Sequence, residues 1–121
     1  MQIKEAIERG TAQLTFIGDL LWEVDGAAVR STISTIAAKD VKHVVIDFDG
    51  VHHINSAGLG SLVAALTTMR RSGGDIRLAR VCPHVHNIFA VTRLVGIFET
   101  YDTVEEALKA SRDPGALKTL K

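Results

Sequence analysis

Three sets of residues in this chain carry side chains suited to chemistry. Ser56 stands in Asn55-Ser56-Ala57-Gly58-Leu59-Gly60. Four histidines fall in two short segments, His52-His53 and His84-x-His86. Asp47 and Asp49 sit at the end of an apolar run, Val44 to Phe48. Serine, histidine and aspartate are the parts of a hydrolase triad. The nucleophile elbow, however, is Gly-x-Ser-x-Gly, and Ile54 occupies the first glycine position. A histidine three or four residues before the serine also cannot bring its ring round as the base when a helix starts between them. A small serine hydrolase is therefore the third reading, and no catalytic residue is expected. As zinc ligands the histidines lack an acidic or cysteine partner to complete the set, and Pro83 favours a helix start there. They read as solvated loop histidines, with no metal and no cofactor. Cys82 is the only cysteine. It reads as a small packed residue and excludes both a disulfide framework and a cysteine-rich zinc site.

Ser56 is the most informative of these residues because of what must position it. A buried strand runs into a short loop, and the loop delivers a small hydroxyl side chain to the first turn of an apolar helix. The backbone N–H groups and dipole of a helix start favour an anion, so a phosphate on Ser56 would lie at the favourable end. Gly58 and Gly60 are expected to leave the surface there bare. Taken alone, the residues favour a plainer reading, a helix cap with glycines for tight packing, with either Asn55 or Ser56 as the cap.

The remaining elements follow from periodicity. Gln2 to Glu8 is a first strand, broken at Arg9-Gly10. Ala12, Leu14 and Phe16 alternate with polar residues, the period of a second, half-buried strand, and the two suggest a hairpin. Val29, Ile33, Ile36 and Ala37 lie on one face of a helix from Asp25 to about Ala38. Val44 to Phe48 reads as an inner strand covered on both faces. Leu59, Leu62, Val63, Leu66 and Met69 are expected to face the core from the next helix, which Gly73-Gly74 terminate. A strand follows at Ile76–Ala79. Pro83 then opens a helix, and a last strand spans Ile97–Tyr101. Thr103 caps a final helix, Val104–Ala110, with Glu106 completing a capping box. The order ββαβαβαβα predicts an α/β fold, a mixed sheet of mostly parallel strands with one N-terminal hairpin. Leu20-Leu21-Trp22 reads equally as core or as an exposed apolar patch near Ser56. Arg70-Arg71, Arg77 and Arg80 read as solvated ends.

At 121 residues, with 46% hydrophobic and 23% charged residues, the chain suits one domain that buries its own core. The domain is expected over residues 1–111, followed by a loosely held tail, 112–121, punctuated by Pro114-Gly115. Fourteen basic residues balance fourteen acidic ones, so no global field draws in nucleic acid or an anionic membrane. Charges interrupt every apolar stretch of the N-terminus, and no run is long enough to span a bilayer. The cytoplasm is the expected location.

The stretch around Ser56 resembles the STAS domain of anti-sigma factor antagonists, in which a hydrophobic strand and a loop ending Asp-Ser-Ser/Ala-Gly-Leu-Gly precede an apolar helix. Here the motif stands as Asn55-Ser56-Ala57-Gly58-Leu59-Gly60. The likeness extends to Gly18-Asp19-Leu20, Gly73-Gly74, Pro83, Phe89 with Leu94, and Ile97-Phe98. It implies a non-enzymatic regulatory module. The unmodified protein binds an anti-sigma factor that is also a serine kinase. Phosphorylation of the residue matching Ser56 ends binding, and a phosphatase resets it. The resemblance places the partner surface on Asp19, Leu21, Asn55, Ser56, Ala57, Gly58 and Leu59. Asn55 and Leu21 stand where the family often has acids. STAS domains also serve, without phosphorylation, as subunits of stress-sensing and lipid-transport complexes, which is the alternative reading.

Overall fold

The computed structural model describes residues 1–94 and 96–112. Ala12, Leu14 and Phe16 are fully buried and the residues between them half-buried, so the alternation is strand β2 (Thr11–Ile17). It pairs antiparallel with β1 (Gln2–Glu8) across a turn in which Arg9 and Gly10 take φ of 52° and 77°. The elements that follow are α1 (Glu23–Ala38), β3 (His43–Gly50), α2 (Ser56–Arg71), β4 (Asp75–Ala79), α3 (Pro83–Val91), β5 (Glu99–Tyr101) and α4 (Val104–Arg112). The five strands lie side by side in chain order. Strands β2 to β5 are parallel, and β1 is the antiparallel edge. This is the predicted mixed sheet with an N-terminal hairpin.

Successive residues of β3 point to opposite faces of the sheet. Val44, Ile46 and Phe48 join the main core, built with Leu14 and Phe16 of β2, Ile76 and Leu78 of β4, and the apolar stripes of α1, α2 and α3. Phe16 and Phe48 meet there with ring centroids 5.5 Å apart. Val45 faces the other way, into a smaller cluster with Ala79 and Ala107 beneath α4. Asp47 shares that second face. It is buried, and Arg80 pairs with both of its carboxylate oxygens at 3.0 and 2.7 Å.

Several boundaries and positions differ from expectation. Helix α1 starts at Glu23 because Asp25 accepts a hydrogen bond from the Trp22 N–H at 3.3 Å, which places Asp25 inside the first turn. Residues 97–98 form a turn and not a strand. The Ile97 N–H bonds back to the Leu94 carbonyl, and the Ile97 carbonyl accepts from Arg70. Val63 is half-buried, flanking the stripe of Leu59, Leu62, Leu66 and Met69, all of which are buried. Arg77 is no solvated end. It is buried in β4, with its Nε 2.8 Å from the Glu99 carboxylate. Thr103 accepts the Glu106 N–H at 3.1 Å, as the capping box requires. Arg112 closes α4, and the rest of the expected tail, 113–121, lies outside the described residues.

Candidate functional site

The site forms where two chain segments run on together past the end of the sheet. Gly18, at φ +107°, turns the chain out of β2. Its N–H then bonds the Gly50 carbonyl at 3.0 Å, and the Leu20 N–H bonds the His53 carbonyl at 3.1 Å. Leu20 and Ile54 form a parallel bridge. Gly50 is needed for this approach, because a Cβ there would lie 2.5 Å from the Phe16 carbonyl oxygen. The segment 18–21 is thereby laid against the loop that carries Ser56.

Asp19 holds that loop. One carboxylate oxygen accepts the N–H groups of His52 and His53 at 3.1 and 3.0 Å, and the other meets the His53 ring Nδ1 at 3.1 Å. Burial pushes its carboxyl up, but these hydrogen bonds outweigh it and hold Asp19 below the usual carboxylate range. Asn55 holds the loop from the other side. Its Oδ1 accepts the Gly58 N–H at 3.0 Å, which makes Asn55 the N-cap of α2, and its Nδ2 donates to the Leu21 carbonyl at 2.8 Å. Of the two candidate caps, Asn55 is thus the one used, and the Ser56 hydroxyl is not committed to capping.

Ser56 is the first residue of α2 and is exposed, as are Asn55 and Ala57. Gly58 and Leu59 are buried. The two glycines therefore do different things. Gly58 does not bare the surface; it lets the helix close on Leu20, since a Cβ would lie 2.3 Å from the Leu20 carbonyl oxygen. Gly60 has nothing within 4 Å and does leave the surface open. Beside it lies a shallow hollow of about 410 Å³, lined by Ser56, Leu59, Gly60, Val63, Thr92 and Leu94, none of them charged. The contribution of the turn after α3 has no signal in the sequence, because it depends on how α3 packs. The run Leu20-Leu21-Trp22 divides: Leu20 enters the core, Leu21 is half-buried, and Trp22 is 71% exposed, with Val24 equally so. An exposed serine hydroxyl at a helix start, beside an uncharged and largely apolar hollow, can accept a phosphoryl group and can also be covered by a partner.

The triad parts do not assemble as a hydrolase needs. Asp47 is engaged by Arg80 on the α4 face, and Asp49 points to solvent 3.7 Å from the same guanidinium. The carboxylate beside a histidine is Asp19, a pairing that only the strand register reveals. Among the described residues no hydrogen bond joins Ser56 to either loop histidine. The two histidine segments do converge, the rings of His53 and His84 lying 5.4 Å apart, but only His52 and His53 are on a loop; His84 and His86 are exposed residues of α3. Among the described residues no three His, Cys, Asp or Glu side chains gather as a metal set, and no helix is long and apolar enough to cross a membrane.

Comparison with known proteins places this architecture. The anti-sigma F factor antagonist of Paenibacillus polymyxa is 23% identical over 108 residues, which cover 89% of this chain and 92% of that one. SpoIIAA in its unphosphorylated form superposes with a TM-score of 0.79 at 22% identity, over 92% of this chain and 96% of that one. The phosphorylated form of the Bacillus protein superposes with a TM-score of 0.70 at 21% identity, over 89% and 97%. The STAS domain model matches residues 2–107, nearly all of the described fold. With the five-strand order, the bridged loops and the Ser56 helix start all inside that span, the chain belongs to the STAS domain family.

Proposed function

We propose that this protein is an anti-sigma factor antagonist that acts by binding and not by turnover. It docks an anti-sigma factor through the face made by Asp19, Leu21, Asn55, Ser56 and Ala57, with Gly58 and Leu59 shaping that face from beneath. The partner is also a serine kinase; it phosphorylates Ser56, which ends binding, and a phosphatase restores it. Binding resides in residues 1–111, the segment 112–121 is dispensable, and the cytoplasm is where the exchange takes place. The observation that carries this reading is the exposed hydroxyl of Ser56, not used as a cap, at the first turn of α2, beside a hollow with no charged lining. The likeness to SpoIIAA, solved both with and without phosphate, supports it.

A phosphate adds about −1.5 to −2 charges. At the start of α2 that charge is well placed for the isolated protein, yet inside a docked apolar surface it is costly to desolvate. Stability and binding should therefore move in opposite directions. Ser56→Asp is expected to gain about 0.3–1 kcal/mol of stability and to lose partner affinity. Ser56→Ala should keep its stability, since Asn55 supplies the cap, and should bind yet resist phosphorylation. Melting by far-UV circular dichroism, affinity for the partner recovered from the native host, and intact mass after incubation with ATP and the kinase test all three. Asn55 and Leu21, standing where the family often has acids, favour a second reading, an unphosphorylated STAS scaffold of a stress-sensing or lipid-transport complex. Unchanged binding by Ser56→Asp, with no phosphate on Ser56, would leave that reading in place.

A further inference from the structure

We propose that His53 and His84 form a two-histidine site for a divalent transition ion of the zinc–copper class, at the edge that carries Ser56. The two rings come from different segments, the loop after β3 and the second residue of α3, and meet with centroids 5.4 Å apart and planes at 65°. Two imidazoles that share one tetrahedral ion, at metal–nitrogen distances of about 2.0–2.1 Å, have centroids about 5 Å apart. The observed separation is close to that of a chelating pair.

The second observation concerns the orientation of the His53 ring. His53 Nδ1 lies 3.1 Å from Asp19 Oδ2, and that carboxylate is itself fixed by the His52 and His53 N–H groups. With Nδ1 turned to this carboxylate, Nε2 is the ring nitrogen left to face a ligand. This carboxylate–imidazole pairing is the one that orients metal-binding histidines and raises their basicity. His84 is exposed and makes no hydrogen bond among the described residues, so its ring can turn a nitrogen toward the shared position. Only two protein ligands are present, and water fills the rest of the coordination sphere. The site is therefore open and of modest affinity, tighter for Cu²⁺ than for Zn²⁺. A bound ion would tie the Ser56 loop to α3, independently of whether Ser56 is phosphorylated.

The test uses the full chain without an affinity tag, stripped with chelator and titrated with ZnCl₂ or CuCl₂ by calorimetry. One ion per chain is expected, and at tenfold excess over the dissociation constant a rise in Tm of about 5 °C. His53→Gln and His84→Gln, both at exposed positions, should fold as the parent does without metal, and each should abolish the rise. Asp19→Asn should weaken affinity about 10-fold. The electron paramagnetic resonance spectrum of the Cu²⁺ form should show two imidazole nitrogens, a signal that His84→Gln should lose. His86→Gln should bind as the parent does. Absence of saturable one-to-one binding, survival of the Tm rise in His84→Gln, or its equal loss in His86→Gln would overturn the proposal.

Discussion

Asn55 uses both ends of its amide, one as the cap of α2 and one as a tie to the Leu21 carbonyl. An aspartate could supply the acceptor but not the donor, so this chain gains a bridge that the acid more usual at the position cannot make. Asn55→Ala should lower stability by about 0.5–2 kcal/mol through loss of the cap. Asn55→Asp should retain most of that stability, yet set a carboxylate oxygen against the Leu21 carbonyl. Backbone amides from Leu20 to Trp22 should then exchange faster. Melting and amide exchange on the two variants separate the effects, and an Asn55→Asp chain as protected as the parent across that segment would contradict the bridge. At this scale the sequence is only half legible. Ser56 stands out because its neighbours are local, a strand before it and an apolar helix after it. Asp19 holding the loop could not be read, because the contact spans residues 34 apart and depends on the irregular β2–β3 register past Thr15.

Among the elements, α2 shows why residue spacing alone misleads. Gly58 and Gly60 look equivalent in the sequence, two small residues in one motif. In the fold Gly58 faces Leu20 and Ile54, and Gly60 faces open space. Gly58→Ala should therefore cost about 1–3 kcal/mol, because the Cβ meets a backbone carbonyl that cannot swing aside. Gly60→Ala should stabilise the helix by up to about 1 kcal/mol, the usual gain of alanine over glycine in a helix interior. Chemical denaturation followed by circular dichroism decides this, and two variants with shifts of the same sign would mean that the helix is rotated from the position described. The apolar stripe of α2 was readable because Leu59, Leu62, Leu66 and Met69 recur with the helical period. The half-burial of Val63 was not, since a flanking position is decided by what packs beside the helix. The same holds for Arg77: a charge in a short strand reads as solvated until the neighbouring strand supplies Glu99.

Across the molecule, equal numbers of acids and bases conceal a dependence on pH that individual groups set. Burial and the neighbouring Arg77 hold the His43 ring below its ordinary value of 6.5. The unfolded chain thus takes up that proton first, and stability should begin to fall as pH drops below about 6.5. Burial raises the Asp47 carboxyl, but Arg80 and the Asp49 N–H outweigh it and hold it below its ordinary value of 3.8. Its contribution is complete above that pH and is lost as pH falls through the lower folded value. Urea midpoints measured between pH 7.5 and 3 should therefore decline in two stages, and His43→Gln should flatten the first. A flat profile down to pH 5 in the parent would show that His43 is not held neutral. These measurements call for circular dichroism because of where the aromatic residues lie. The only tryptophan, Trp22, is 71% exposed and follows directly on the Leu21 carbonyl that Asn55 bonds. Its indole is already in water in the folded chain, so unfolding should barely shift its emission wavelength, whereas a partner that covers the Ser56 face should shift it to the blue and shield it from acrylamide. The intrinsic fluorescence of this protein is thus nearly blind to its own folding and well placed to report, without a label, on whether that face is occupied.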